Sequence, residues 1–345
     1  MIARKTLSRV DLDVRPATPA DAAGIAGLFD RVYRGGYFFA ECTDPILLGK
    51  TLTGSDYIWM VVVDDDLVVG SIASRRDPGM GRYEIGRAAV HPDYRGRSDI
   101  VAAYDAVLRG TMRQPDSDLI YAEVRSELAR RTFVPEATPF AWTSANGGMY
   151  RLNGEREEHL YGAAFNPERT VIRFVPPRSV VLPGSPVAGE IARLRATAII
   201  GDYPAQICAG GDGEQRYESG NGRVSYAMFE SSQAAVVTDV HGDSPADIRQ
   251  ALWDLLDGAA PSKIDHLTMY ALADKLPVIA ELCAGGQDDP GRRFRLSGYR
   301  PGWHSDGGAR YDCVTLTART DEQIPNRFGL GRRIEDVYRS FWPWT

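Results

Sequence analysis

Apolar runs and short polar turns alternate between Asp56 and Pro92 in a way that predicts three strands. YIWMVVVDDDLVVGSIASR holds two of them around the Asp64-Asp65-Asp66 turn, and RYEIGRAAVHP (82–92) supplies the third. Upstream, Leu12 and Val14 alternate with Asp11 and Asp13 as in a half-buried strand. Thr18-Pro-Ala-Asp then carries helix-start chemistry: a capping hydroxyl, a proline suited to the first turn, and an acid at the positive end of the dipole. The helix it opens runs to about Val32 with Ile25, Leu28 and Phe29 on one face, and a short helix follows at 45–52. Beyond the third strand, Val101, Tyr104, Val107 and Leu108 recur at helical spacing. DLIYAEV (118–124) returns to strand, and SELARRTF (126–133) opens another helix capped by Ser126. The order of strand, helices, three strands, helix, strand, helix predicts a mixed α/β fold with a strand-to-helix crossover after Val90.

The second half repeats this pattern. VVTDVHGDSPADIRQALWDLLDG (236–258) lies over AAVHPDYRGRSDIVAAYDAVLRG (88–110): Val90-His91 matches Val240-His241, Asp99-Ile100 matches Asp247-Ile248, and Gly110 matches Gly258. An apolar strand follows each, LIYAEV and LTMYAL. The turn of the second copy, HGDSPAD, has no Arg-Gly-Arg, so the pattern reads as a duplication whose second copy lost its anion-binding residues. The Pro-rich VPPRSVVLPGSP (175–186) marks the linker. The expected organisation is a first domain at 1–170, a linker at 171–187 and a second domain at 188–345.

Composition narrows the classes. The 345 residues suit two domains, and 43% apolar with 25% charged residues is ordinary for a soluble globular chain. A net charge of −6 argues against nucleic acid or an anionic membrane as partner. No apolar run approaches a membrane span, and the first residues lack the apolar stretch of a signal peptide, so a cytoplasmic location is expected. Four scattered cysteines, Cys42, Cys208, Cys283 and Cys313, form no CxxC pair, so neither a disulfide framework nor a metal site is expected.

The chemistry concentrates in AAVHPDYRGRSDI (88–100). A strand ending at Val90 offers free peptide groups, and the turn Arg95–Asp99 aims backbone N–H groups at the start of the next helix, where an anion is favoured. Arg95 and Arg97 add charge-assisted donors. RPATPADAAGIAGLF, the VVVDDDLVVGSIA hairpin and above all AAVHPDYRGR resemble the GCN5-related N-acetyltransferase (GNAT) superfamily. FRLSGYRPGWHSDGGARYDCVTL (294–316) looks like its closing helix, glycine–aromatic turn and final strand. The resemblance implies two GNAT-like domains, each a central mixed sheet flanked by helices, the second degenerate.

It also implies an N-acyltransferase that moves an acyl group from a pantetheine thioester to the amine of a small-molecule acceptor by direct attack. The donor would be acyl-CoA or the acyl-phosphopantetheine of an acyl-carrier protein, with no metal. Ala88, Ala89, Val90, Arg95, Gly96, Arg97, Ser98 and Asp99 would hold it. The family usually has Gly where Ser98 stands and Gly or Ala where Ile100 stands. The bulk of Ile100 and the charge of Asp99 therefore point towards a carrier protein, whose phosphopantetheine has a single phosphodiester. Glu84-Ile-Gly-Arg87-Ala-Ala-Val90 is similar to the Glu…Arg…Val strand of carrier-protein-dependent relatives, with Arg87, Arg95, Arg97 and Arg109 as a basic docking patch.

Glu84 is the candidate base, sharing a strand face with Gly86, Ala88 and Val90. His304, in the loop before the last strand, is the second catalytic candidate. The family's usual acid, a tyrosine, falls on Phe133, with Tyr121 and Tyr150 as substitutes. Tyr33, Tyr37 and Phe38, beside Gly35-Gly36, would line the acceptor site. The C-terminal aromatics, FWPWT, are expected to be exposed unless they dock on the other domain or on a second subunit in a homodimer. The alternative is a catalytically degenerate module that binds an acyl thioester or a partner.

Overall fold

The structure, a computed structural model, describes residues 12–125, 140–169, 171–175, 186–197, 206–207, 222–259, 262–284 and 294–321. Two compact units emerge, Met1–Pro78 with Tyr83–Ser117, and Gly79–Arg82 with Asp118–Thr345.

The smaller unit matches the apolar pattern closely. Strands β1 (Asp13–Pro16), β2 (Tyr57–Asp64), β3 (Leu67–Asp77) and β4 (Arg82–Val90) lie in that order, with β1–β2 and β2–β3 antiparallel. Asp65, at φ +51°, turns the hairpin within the three-aspartate run. Helix α1 (Ala22–Tyr33) buries Ile25, Leu28 and Phe29 as the spacing predicts. Its start is fixed by Asp21, which accepts from the Thr18 N–H at 2.8 Å and pairs with Arg15 at 2.7 Å. That pairing with the Arg15 guanidinium holds the Asp21 carboxyl down at about 2. Two short helices come next, α2 (Ala40–Thr43) and α3 (Pro45–Thr53). Helix α4 (Ser98–Met112) buries Ala103, Tyr104, Val107 and Thr111. Val101, expected on the buried face, is 39% exposed, because the helix presents Ala103 and Thr111 to the sheet instead.

The larger unit contains β5 (Leu119–Arg125), β6 (Ala141–Ala145), a small hairpin of β7 (Tyr150–Leu152) with β8 (Glu155–Glu157), and β9 (His159–Phe165). The short strands β10 (Arg173–Val175) and β11 (Gln206–Ile207) come next. Then come β12 (Arg223–Phe229), β13 (Ala234–His241), β14 (His266–Leu272), β15 (Arg295–Asp306) and β16 (Ala309–Arg319). Its helices are α5 (Pro186–Thr197), α6 (Pro245–Asp254) and α7 (Leu276–Ala284). The strands pair in the order β5-β9-β6-β15-β16-β14-β13-β12. Parallel pairing of β13 with β14 around α6 makes the sheet mixed, so the fold is mixed α/β as the pattern predicts.

The middle of this sheet reads alike from both ends. β5, β9 and β6 face β14, β16 and β15 in mirrored order, and the pairing skips a residue at Trp142/Ser144 and again at Leu296/Gly298. At the junction Gly298 approaches β6 so closely that a Cβ there would fall 2.0 Å from Ser144 Oγ. Of the closing helix, turn and final strand expected over 294–316, the helix is replaced by β15, which pairs with β16 in a hairpin turned by Gly307 and Gly308 at φ +54° and +74°, and the final strand is β16. Both faces of β15 are buried from Leu296 to Trp303, which removes the alternation that would mark it as strand.

Hairpin β7–β8 is tied down by charge: the fully buried Arg156 donates to both Asp265 and Asp321, and Arg151 reaches the same two carboxylates at 2.9 Å. Within the expected linker, β10 pairs in parallel with β16. Residues 176–185 of that linker, the predicted helix at 126–133 and the C-terminal FWPWT lie outside the described residues. Among the described residues no helix is long and apolar enough to cross a membrane, and no cluster of side chains has metal-ligand spacing.

Candidate donor and acceptor site

The candidate site is built on β4 and the turn beyond it. Arg87 takes a left-handed backbone conformation, φ +49°, rare for a side chain with a Cβ. At this kink Arg87 Nη1 lies 2.7 Å from Glu84 Oε1. Simple alternation puts Glu84, Gly86, Ala88 and Val90 on one face. Burial keeps to that alternation through the kink, with Tyr83, Ile85, Arg87 and Ala89 buried and Glu84, Gly86, Ala88 and Val90 less so.

Arg87 is only 4% exposed, so it is no part of a surface docking patch. Its guanidinium also reaches Glu41 at 3.3 Å and lies 4.5 Å from the Phe39 ring centre. Arg75 binds the other oxygen of Glu84 at 3.0 Å. Burial opposes charge on Glu84, but Arg87 and Arg75 outweigh it and hold the carboxyl below the usual range. Glu84 is therefore ionised and weakly basic, its charge balanced by the two guanidinium groups.

Beyond Val90 the chain makes a short 3-10 turn (Pro92–Tyr94), passes Gly96 at φ +81°, and enters α4 at Ser98. The turn is fixed from below. The buried His91 accepts from Arg31 Nη1 at 2.8 Å, and the Tyr94 hydroxyl donates to Asp64. Arg97 occupies the cap position of α4, and its side chain does not cap the first-turn N–H groups. Arg95, Gly96 and Ser98 are exposed beside that helix start, and Arg97 pairs with Asp99 at 3.2 Å. Asp99 is thus neutralised by its neighbour rather than opposed to an incoming anion.

Ile100 does not crowd the turn. Its Cδ1 packs over β3, where a Cβ on Gly70 would meet it at 2.7 Å. The bulk expected at the phosphate position is directed into the sheet, and Gly70 is what makes room for it.

The echo in the second half has the opposite chemistry. Ser244 caps α6, accepting from the Asp247 N–H at 3.2 Å while its hydroxyl donates to Asp247 at 2.7 Å. Both segments carry an aspartate in the first helical turn, but only here does the cap residue's side chain accept from a first-turn N–H. β13 nevertheless keeps an irregularity like that of β4, its pairing with β12 skipping a residue between Val237 and Asp239.

The aromatic loop begins at the end of α1, where Arg34 (φ +55°) and Gly35 (φ +74°) turn the chain. The rings of Tyr33, Tyr37, Phe38 and Phe39 form a chain of contacts with centres 4.5–5.0 Å apart. Tyr33 is buried and its hydroxyl donates to the Ala88 carbonyl at 3.1 Å. Tyr33 therefore braces β4 beside the candidate donor strand, while Tyr37 and Phe38 remain half-buried. Burial raises the Cys42 thiol far above its ordinary range, so it is no nucleophile.

His304 belongs to the other unit. It sits within β15, opposite Tyr311, rather than in a loop, and burial lowers its pKa. Sequence reasoning missed Arg75 and Glu41, the two side chains that complete the Glu84–Arg87 charge cluster. Arg75 falls opposite Tyr57 at the end of the β2–β3 pairing, and nothing in the local sequence signals it.

No protein-family model matches the chain, and no curated protein does. Among solved structures it is similar to the ribosomal-protein-S5-alanine acetyltransferase from Vibrio fischeri, with 16% identity over 47% of this chain and 96% of that chain at a TM-score of 0.39. It is similar to the ribosomal-protein-S18-alanine N-acetyltransferase from Escherichia coli, with 13% identity over 45% of this chain and 94% of that chain at 0.38. Another is Arabidopsis thaliana NAA60 in complex with acetyl-CoA, with 15% identity over 45% of this chain and 98% of that chain at 0.38.

Proposed function

We propose that the smaller unit carries the donor site of an N-acyltransferase that moves an acyl group from a pantetheine thioester to a small-molecule amine. One observation carries the reading: the β4 strand, the Gly96 turn and the uncapped start of α4 form a continuous strand–turn–helix with exposed Arg95 beside open N–H groups. A phosphate at that point would gain backbone donors, a helix N-terminus and a guanidinium together. The acceptor nitrogen would attack the thioester carbonyl carbon, forming the C–N bond as the C–S bond breaks. The sulfur would leave as thiolate, and the amine proton would pass to water. Tyr37 and Phe38 would line the acceptor site, while Glu84, its charge balanced by Arg75 and Arg87, would hold Arg87 in place rather than take a proton.

Coenzyme A is the favoured donor over a carrier protein. Ile100 turns into the sheet, Asp99 is neutralised by Arg97, and the buried Arg87 is lost from the basic patch a carrier would need. In this reading the second half is a duplicated copy whose anion site was closed by the Ser244–Asp247 cap.

The pinned state of Glu84 favours a second reading, a module that binds an acyl thioester without turning it over. Incubating the protein with acetyl-CoA and a panel of amines, while monitoring free thiol and product mass, separates the two. Amine-dependent thiol release supports the enzyme; micromolar donor binding with no turnover on any amine supports the module.

A further inference from the structure

The larger unit holds a buried arginine whose donors are only partly used. Arg300, on β15, is fully buried. Its guanidinium lies 3.9 Å from the Tyr161 ring centre, 4.1 Å from that of Tyr270 and 4.5 Å from that of Trp303. Its Nε donates to Thr315 Oγ1 at 3.2 Å, and its Nη2 to Glu123 at 3.1 Å. Nη1, with two N–H groups, has no hydrogen-bond partner among the described residues, and neither has the buried Tyr161 hydroxyl.

A charged donor left bare in a protein interior is costly, and buried polar groups are ordinarily satisfied. We propose that this aromatic cage is a binding site for a small-molecule carboxylate carried on an apolar or aromatic body. The two N–H groups of Nη1 offer donors only, the phenolic hydroxyl can add a third donor, and a carboxylate offers acceptors only. Burial raises the Tyr161 pKa, so its hydroxyl stays protonated and can donate. Arg300 remains charged despite its burial, held so by Glu123 and the surrounding tyrosines.

The surroundings suit the rest of such a ligand. Tyr121, Tyr161, Trp303 and Cys313 form one buried cluster, and partly exposed Phe165, Tyr270 and Leu272 pack at its margin. A second guanidinium, Arg82, stacks on Trp303 at 3.7 Å, so the indole lies between two cations. That field disfavours a cationic ligand and favours an anionic one.

The test uses the whole chain and no acyl donor, so its outcome is separate from that of the proposed acyl transfer. Binding of phenylacetate and of phenylacetamide is measured by calorimetry on the wild type, Tyr161→Phe and Arg300→Gln. The expected result is saturable phenylacetate binding, with the neutral amide at least about tenfold weaker. Tyr161→Phe should weaken phenylacetate several-fold without lowering the melting temperature, because the hydroxyl has no protein partner among the described residues to lose; Arg300→Gln should abolish binding. Equal affinity for acid and amide, no binding of either to the wild type, or unchanged affinity in Tyr161→Phe would each overturn the assignment. Tyr161→Phe decides the matter even if Arg300→Gln does not fold.

Discussion

Replacing Gly70 by alanine tests how the donor turn is held open. The new Cβ would stand 2.7 Å from Ile100 Cδ1 and 3.0 Å from Val62 Cγ2. Unstrained carbon contacts lie at about 3.5–4.0 Å, so Ile100 must retreat by roughly 1 Å and take the first turn of α4 with it. Overpacking of this kind costs about 1–3 kcal/mol. Ile100→Val removes the clashing methyl and alone costs about 0.5–1.5 kcal/mol. The double variant should therefore be more stable than the sum of the two single losses predicts, by about 1 kcal/mol or more. Urea denaturation of the four proteins measures this coupling, and acetyl-CoA titration of the same set should show Gly70→Ala weakened and the double variant recovered. Strict additivity in stability, or unchanged donor affinity in Gly70→Ala, would refute the idea that Gly70 directs Ile100 away from the turn.

Three further outcomes are expected. Glu84→Gln should lower stability by about 3 kcal/mol in thermal or chemical melts, because it strips the buried Arg87 of its nearest carboxylate; a loss under about 1 kcal/mol would show that Glu41 suffices. Gly298→Ala should cost about 3 kcal/mol or more, since the new Cβ would meet the Ser144 backbone Cα at 2.5 Å and force β6 and β15 apart; a near-neutral variant would contradict that register. Burial pushes the Asp312 carboxyl up to about 6, against donors from Tyr299 and Gly302. The folded state thus keeps a proton that the unfolded chain releases near pH 4, and stability from this group falls as pH rises from about 4 to 6. Across that range the wild-type denaturation midpoint should therefore fall relative to that of Asp312→Asn, and a constant difference between the two would contradict the assignment.

Much of the smaller unit was legible because its elements are amphipathic and local. The three-strand meander, the Thr18–Asp21 helix start and the buried face of α1 all come from spacing. The Arg87 kink was not legible, since no sequence signal marks an arginine that takes a left-handed conformation, whereas the alternation that sets Glu84 with Gly86, Ala88 and Val90 was. The direction of Ile100 depends on a glycine on another strand, which a local reading of 88–108 does not contain. β15 was misread for a different reason. Burial of both its faces erases the period of two, and the short apolar stretch FRLSGY carries no helix–strand discrimination. The sequence match between 236–258 and 88–110 is local too, and in the structure the turn of the later segment carries the Ser244–Asp247 cap.

In the proposed reading the turn from Arg95 to Ser98 grips the phosphates of a pantetheine donor. Calorimetric titration of acetyl-CoA into the wild type, Arg95→Ala and Arg97→Ala tests it most directly. Arg95 is exposed at the helix start and should contribute about 1.5–3 kcal/mol to donor binding, so Arg95→Ala should bind at least about tenfold more weakly. Arg97 already shares its charge with Asp99 and should cost less when removed. Wild-type affinity in Arg95→Ala, or no acetyl-CoA binding by the wild type, would contradict the account.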